Sequence, residues 1–449
     1  MKKILKSIVA FALAFFARAV IRRYRPHVVM VTGSVGKTST KDAVAAVLSE
    51  RFYVRASEKS FNSEFGVPFT IFGVENPWTD PIAWFSTAKN VFALLFLPNH
   101  YPNMLVLEVG ADRPGDLARI LRIATPNAVV VTRLPEIPVH VEAYASPEAV
   151  REEEFSPAYA LAAAAPLIIP SDDSYAMNSA KRTPARIISF GPTANATVQV
   201  SGVDFYMNNS GVAGMQAHVR VDGEQGVCIE KGSVGATQIP PLAAAVAVAY
   251  AFSIPLADAL KALENYEAPP GRGRLLAGKN GSIIIDDSYN ASPAAVEEAL
   301  KTLKAFPHAK RPYSAEATKG RHIAILGDML ELGRYSVGEH ERIASLAGES
   351  ADAIITVGIR ARAFASSAKK AAPTPAGVGV PTASVGKVMQ FDNSCAAAAA
   401  LTDFVQAGDV ILVKGSQSVR TERVVEALLA NPADASRLVR QEHKWKQKA

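Results

Sequence analysis

The residues Gly33-Ser34-Val35-Gly36-Lys37-Thr38-Ser39 have the types and spacing of a loop that grips phosphate. Glycines let backbone N–H groups approach phosphate oxygens, and a helix beginning directly afterwards presents its positive end. Lys37 is placed to reach the β and γ phosphates of a nucleotide, and the Thr38 hydroxyl to bind Mg²⁺. The loop departs from the general G-x-x-x-x-G-K-[ST] pattern, because Val31 stands at the first glycine position. A plain glycine turn ahead of a helix is the competing reading. Glu108, which closes the apolar run Met104 to Leu107, is a second candidate. An acid at the carboxyl end of a strand suits the ligand crevice of a doubly wound sheet, although such acids are also often just solvated.

Positioning these groups requires a strand, a loop and a helix in that order. His27 to Thr32 is a short β-branched run, and Ser39 to Glu50 reads as an amphipathic helix. Apolar runs at 104–107, 128–131 and 167–169 predict further strands of a mostly parallel sheet. From Val198 to Ile229 the pattern alternates with Gly- and Asn-rich turns, which predicts antiparallel hairpins appended to that sheet. Helices are predicted at 243–252 and 255–264, and Pro269-Pro270-Gly271 reads as a domain boundary. Beyond it, strands at 282–285, 322–326, 353–357 and 410–413 alternate with helices and predict a second, Rossmann-like α/β domain. Stretches 311–320 and 368–381 read as surface loops. The expected organisation is an N-terminal helix over 1–26, an ATP-binding domain over 27–268 and a C-terminal domain over 269–449.

With 449 residues, 49% of them hydrophobic and 20% charged, the chain is expected to form two or three globular domains. The net charge of +6 concentrates at the two ends, in Lys2, Lys3, Lys6, Arg22, Arg23 and Arg25 and again in Lys444, Lys446 and Lys448. No nucleic-acid reading motif accompanies it, so nucleic acid is not expected as a partner. Cys228 and Cys395 are too few for a metal cluster or disulfide framework and fit a reducing compartment. Residues 4–21 are apolar but interrupted by Lys6 and Arg18, shorter than the ~20 residues that span a bilayer. The segment is read as an uncleaved helix at the inner membrane surface, with a helix packed on its own protein as the alternative. A cytoplasmic location, peripheral to that surface, is expected.

Six segments in order carry a family resemblance: TGSVGKTSTK at 32–41, FNSEFGVP at 61–68, LEVGADRPGD at 107–116, DDSYNASP at 286–293, GDMLELG at 327–333 and VKGSQSVRTERVV at 413–425. Together they resemble the Mur ligase family, in its MurF branch, over nearly the whole chain. The resemblance implies an ATP- and Mg²⁺-dependent ligase that activates a carboxylate as an acyl phosphate and joins it to an amine. The implied acid is a peptidoglycan precursor, UDP- or lipid-linked, and the implied amine is D-alanyl-D-alanine or a similar amino acid or dipeptide. It further implies that Lys37, Glu108, His140 and Glu154 serve catalysis, with Thr38, Glu108, His140 and Glu154 around metal. Arg274, Asp287, Tyr289 and Asn290 join the phosphate loop in binding nucleotide. Asn62, Ser63, Asp328, Glu331, Lys414 and Ser416 are implied to meet substrate.

Taken alone, His140 also reads as a structural or solvated histidine, and the Asp287 to Asn290 segment as an ordinary turn. The chain departs from the family in three places. About thirty residues precede the phosphate loop, where the family carries a UDP-binding domain. Glu154 stands where a lysine that becomes carbamylated is expected, and equally reads as part of an acidic solvent-facing helix start. Thr237 stands where a histidine is expected, and an asparagine expected near Pro241 is lacking. These departures keep open a related ligase acting on another acid, of the folylpolyglutamate kind, and a membrane-associated nucleotide-binding protein without ligation.

Overall fold

A computed structural model describes residues 2–58, 61–78, 80–308, 320–364, 387–442 and 445. Its residues divide into two compact units. The first comprises 1–203, 216–229 and 239–266, and the second 204–215, 230–238 and 267–449.

In the first unit, helix α1 (Lys2–Tyr24) leads into strand β1 (His27–Thr32), and helix α2 (Lys37–Leu48) follows the glycine loop. Strand β2 (Val54–Ala56), helix α3 (Gly66–Phe72), helix α4 (Pro81–Phe96), β3 (Met104–Glu108), helix α5 (Asp116–Leu121), β4 (Ala128–Val131), helix α6 (Pro147–Tyr159), β5 (Pro166–Pro170) and β6 (Arg186–Gly191) complete the α/β layer. The sheet order is β2-β3-β1-β4-β5-β6, and every neighbouring pair is parallel. The sheet continues through β7 (Val198–Asn208), β8 (Gly211–Val221) and β9 (Glu224–Lys231), joined by two short hairpin turns.

The central strands are continuous apolar runs because both faces are covered, and β1, β3 and β4 are buried along almost their whole length. Helix α2 begins at Lys37, earlier than the predicted Ser39, because Gly36 takes a left-handed φ of 88° and turns the chain directly into the first helical residue. Likewise the helix predicted from 243 begins at Ile239, since Pro240 and Pro241 occupy its first turn, where an N–H is not needed. Helix α1 falls inside the expected 1–26 and extends past both ends of the apolar run 4–21. One face of it, Leu13, Ala17 and Val20, is buried in the same core as Val28, Phe69 and Leu105, so the alternative of a helix packed on its own protein holds for that face. Among the described residues no helix is long and apolar enough to cross a membrane. Helix α4 and strands β2 and β6 are elements the sequence patterns did not predict.

The second unit has a six-stranded sheet. Its strands are β10 (Arg274–Ala277), β11 (Ile283–Asp287), β12 (His322–Gly327), β13 (Ala353–Val357), β14 (Lys387–Phe391) and β15 (Val410–Lys414), in the order β10-β11-β15-β12-β13-β14. Only β10 runs antiparallel to its neighbour. Ile284, Ile323, Ile355, Ile411 and Val413 lie in one core beneath the helices. Residues 309–319 and 365–386 lie outside the described residues, and with them most of the two stretches read as surface loops, as do Lys444, Lys446 and Lys448.

Candidate active site

The phosphate loop in the first unit sits where the chain leaves β1, between β3 and β4. The register pairs Val31 with Glu108 and Thr32 with Val131, so the loop opens beside the carboxyl ends of both neighbours. Gly33 has φ of 117°, and a Cβ there would run into the Thr132 hydroxyl, so only glycine fits. Ser34 N–H donates to Arg133 O at 3.1 Å, which ties the loop to the end of β4. Val35 bridges to the same residue, and Ser39, inside α2, accepts a hydrogen bond at its carbonyl from Tyr266 OH at 3.2 Å.

The Lys37 ammonium donates to the loop's own Gly33 carbonyl and lies 3.6 Å from Glu154 Oε1. Glu154 comes from the middle of α6, a helix that Ser146 caps and Pro147 starts. Its carboxylate also accepts from Ser34 Oγ, and its carbonyl accepts from Thr32 Oγ1 at 2.6 Å. Glu154 is 1% exposed, so it is a buried brace of the loop and does not face solvent at an acidic helix start. Asn62 Nδ2 donates to Glu108 Oε1 at 3.4 Å, and a Cβ on Gly110 would stand 3.4 Å from Lys37 Cε, so Lys37, Asn62 and Gly110 crowd one spot. Ser63 Oγ accepts from Gly66 N–H at the start of α3, a local structural bond.

Thr38, at the start of α2, and Glu108, 2% exposed, offer the hard oxygen donors that Mg²⁺ takes together with phosphate. His140 has a left-handed φ of 63°, and its Nε2 lies 3.6 Å from Asp112 Oδ1. Among the described residues no three His, Cys, Asp or Glu side chains are grouped to hold a metal ion. The structure therefore does not gather Glu108, His140 and Glu154 into one metal-binding set.

The second unit carries its own cluster at the carboxyl ends of β11, β12 and β15. Lys414 Nζ, almost fully buried, donates to Asp287 Oδ2 at 2.6 Å and to Asn290 O at 3.0 Å. Ser416 Oγ accepts from Leu330 N–H at 2.9 Å, and its N–H donates to Asp328 O. Asp328 Oδ1 accepts from Ala361 N–H at 2.7 Å, and Glu331 takes a left-handed φ of 64°. Arg274 donates to Glu267 and to Ala268 O, both at 3.1 Å. Thr237 lies near Gly235, whose left-handed turn packs on Thr302.

Residues 31–249 match the Mur ligase middle domain, and residues 271–417 match the Mur ligase, glutamate ligase domain. The chain belongs to the Mur ligase family. It is 28% identical over 412 residues to a UDP-N-acetylmuramoyl-tripeptide–D-alanyl-D-alanine ligase of Mycobacterium tuberculosis, covering 90% of this chain and 73% of that protein. A ligase of the same description from Bacillus subtilis is 25% identical, covering 94% and 80%. In structure the chain resembles the MurF ligase of Thermotoga maritima in complex with ADP, with TM-score 0.71, 24% identity and coverage of 93% and 83%. A MurF of Acinetobacter baumannii gives TM-score 0.72 at 20% identity, covering 95% and 80%.

This Mur ligase has supporting residues that sequence reasoning missed. Tyr289 lies between two guanidiniums, with Arg272 4.0 Å and Arg440 5.8 Å from its ring centre. Arg440 also donates to Ser288 O and Tyr289 O and pairs with Glu422 at 2.8 Å, so it holds the turn after β11 from far along the chain. His340 Nε2 accepts from Met329 N–H at 3.1 Å, which leaves Nδ1 to donate to Ser336 O at 2.6 Å. Burial lowers the His340 pKa and keeps the ring in that neutral, accepting form. Asp286, beside Asp287, points the other way on β11, and burial pushes its pKa up to about 6. Apart from the bond between His340 and Ser336 within one helix, these contacts have no local sequence signal, because each joins residues from separate elements.

Proposed function

We propose that this Mur ligase uses ATP to activate a carboxylate as an acyl phosphate and joins it to an amine. By the names of its relatives, the acid is a UDP-linked muramoyl tripeptide and the amine D-alanyl-D-alanine. The observation that carries this reading is the glycine loop between β1 and α2, with Lys37 at its mouth and Glu108 at the adjoining strand end. Residues 27–268 are read as the ATP-binding domain and 269–449 as the domain that brings the amine. The enzyme is read as cytoplasmic, with α1 at the inner membrane surface.

Phosphoryl transfer depends mostly on positioning and on neutralising charge. Loop N–H groups and the start of α2 hold the phosphates, and Lys37 moves from the Gly33 carbonyl and Glu154 onto the transferred group. Mg²⁺, held by Thr38 and Glu108, would draw charge from the phosphate oxygens. Glu154 keeps Ser34 and Lys37 in place, and Asn62 orients Glu108. In the second unit, Asp287, Tyr289 and Asn290 are read as nucleotide contacts that Lys414 and Arg440 hold in shape, and Arg274 supports the approach to β10. Asp328 and Glu331 orient the incoming ammonium, and Ser416 meets the amine's terminal carboxylate.

Incubation with ATP, UDP-muramoyl-tripeptide and D-alanyl-D-alanine tests this. ADP release that needs all three is the expected result. The engagement of Glu154 with Lys37 and Ser34 favours one second reading, a protein that binds nucleotide without ligating, and ATP binding without substrate-dependent turnover would select it.

A further inference from the structure

Two helices of the first unit turn large apolar side chains outward. On α1, Ile8, Phe11 and Phe15 follow one another at helical spacing and each is more than half exposed, while Leu13, Ala17 and Val20 face the core. On α4, Ile82, Phe85, Phe92 and Phe96 form a similar stripe, again each more than half exposed, while Thr87, Val91 and Leu94 are buried on the other side. The two helices are fastened together. Arg23 donates to Leu95 O at 2.5 Å and to Leu97 O at 3.2 Å, and Tyr24 OH donates to Leu94 O at 2.8 Å. A stripe of this size on two joined helices exceeds the scattered apolar groups of an ordinary soluble surface.

The charges within the two helices have one sign, while the exposed Asp80 caps α4 two residues before Ile82. Lys6, Arg18 and Arg22 lie on α1, Lys89 falls within the α4 stripe between Phe85 and Phe92, and neither helix contains an aspartate or glutamate. A second copy of the chain would bring like charges together across a two-fold interface, whereas an anionic bilayer neutralises them. Aromatic groups with flanking cations, on helices unable to span, are the composition of an interfacial anchor.

We propose that α1 and α4 together form a lipid-docking face that inserts both apolar stripes into the headgroup layer of an anionic membrane. This rests on the reading of α1 as a membrane-surface helix and adds α4 as its second half. The face keeps the ligase at the bilayer without a spanning segment. Electrostatic attraction by the basic groups and burial of the aromatic rings act together, so binding weakens with salt.

Sedimentation of the full chain with phosphatidylcholine vesicles, with and without about one third phosphatidylglycerol, tests the proposal. Wild-type protein is expected to bind the anionic vesicles and to bind them less at high salt. Phe11→Ser with Phe15→Ser, and separately Phe85→Ser with Phe92→Ser, are each expected to lower partitioning about tenfold or more, with unchanged melting temperature. Lys89→Glu, a change at an exposed charge, is expected to weaken binding to anionic vesicles only and provides a second reading of α4. If both α4 variants bind as wild type while the α1 variant does not, the two-helix face is overturned and α1 acts alone. If wild-type protein ignores anionic vesicles, both readings fail. A wild-type dimer in light scattering that Phe85→Ser with Phe92→Ser disperses, without vesicle binding, identifies a second copy as the occupant and also overturns the proposal.

Discussion

Glu154 stands against Lys37, its Oε1 3.6 Å from the lysine Nζ and its other oxygen on Ser34 Oγ, so an acid braces the loop where a phosphate would otherwise draw the lysine. With Glu154 2% and Lys37 15% exposed at their side chains, neither charge is well served by solvent. The pair keeps the loop formed, and it competes with the phosphates for one ammonium.

Glu154→Gln therefore separates brace from competitor. Glutamine still accepts from Ser34 but no longer holds Lys37 by charge, so ATP affinity is expected to rise about fivefold, or ~1 kcal/mol. Isothermal titration measures it. A fall in affinity would mean that Glu154 works with the nucleotide, as a metal ligand does.

The Asp287 to Lys414 pair predicts an asymmetric cost. Asp287→Ala leaves the nearly buried Lys414 ammonium with only the Asn290 carbonyl and is expected to destabilise by about 3 kcal/mol. Asp287→Asn combined with Lys414→Met removes both charges and is expected to recover most of that loss. Chemical denaturation of the single and double variants measures it.

Glu230 predicts an alkaline weakness. It is fully buried, and desolvation pushes its carboxyl up from 4.5 to about 8, so the folded chain keeps a proton that the unfolded chain has released. The associated stability is fully present below pH 4.5 and is lost progressively as pH rises from there through about 8, roughly 5 kcal/mol in all. Glu230→Gln is expected to flatten this decline and to raise the melting temperature at pH 9 while leaving it unchanged at pH 4.5. An equal slope in both proteins would rule Glu230 out as its source.

What could be read from the sequence was what local pattern dictates. β1 and β4 fall where their β-branched runs end, because a strand covered on both faces must be apolar throughout. The phosphate loop is legible because its glycines are required by left-handed turns within a few residues. Helix α4 escaped because its outward stripe is as apolar as its inward face, so no amphipathic contrast marks it. The brace at Glu154 escaped for a different reason. An acid in a charged helix looks solvated until the fold brings β1 beside it, with Glu154 and Thr32 122 positions apart in the sequence. Arg440 and Tyr289 meet across 151 residues and carry no local mark at all.

The most direct measurement is substrate-dependent ADP release by wild-type protein and by Lys37→Ala, with nucleotide affinity measured alongside. Wild-type release should require both acid and amine, and the variant should lose about a hundredfold or more in turnover and bind ATP more weakly. Turnover and affinity unchanged in Lys37→Ala would contradict the account.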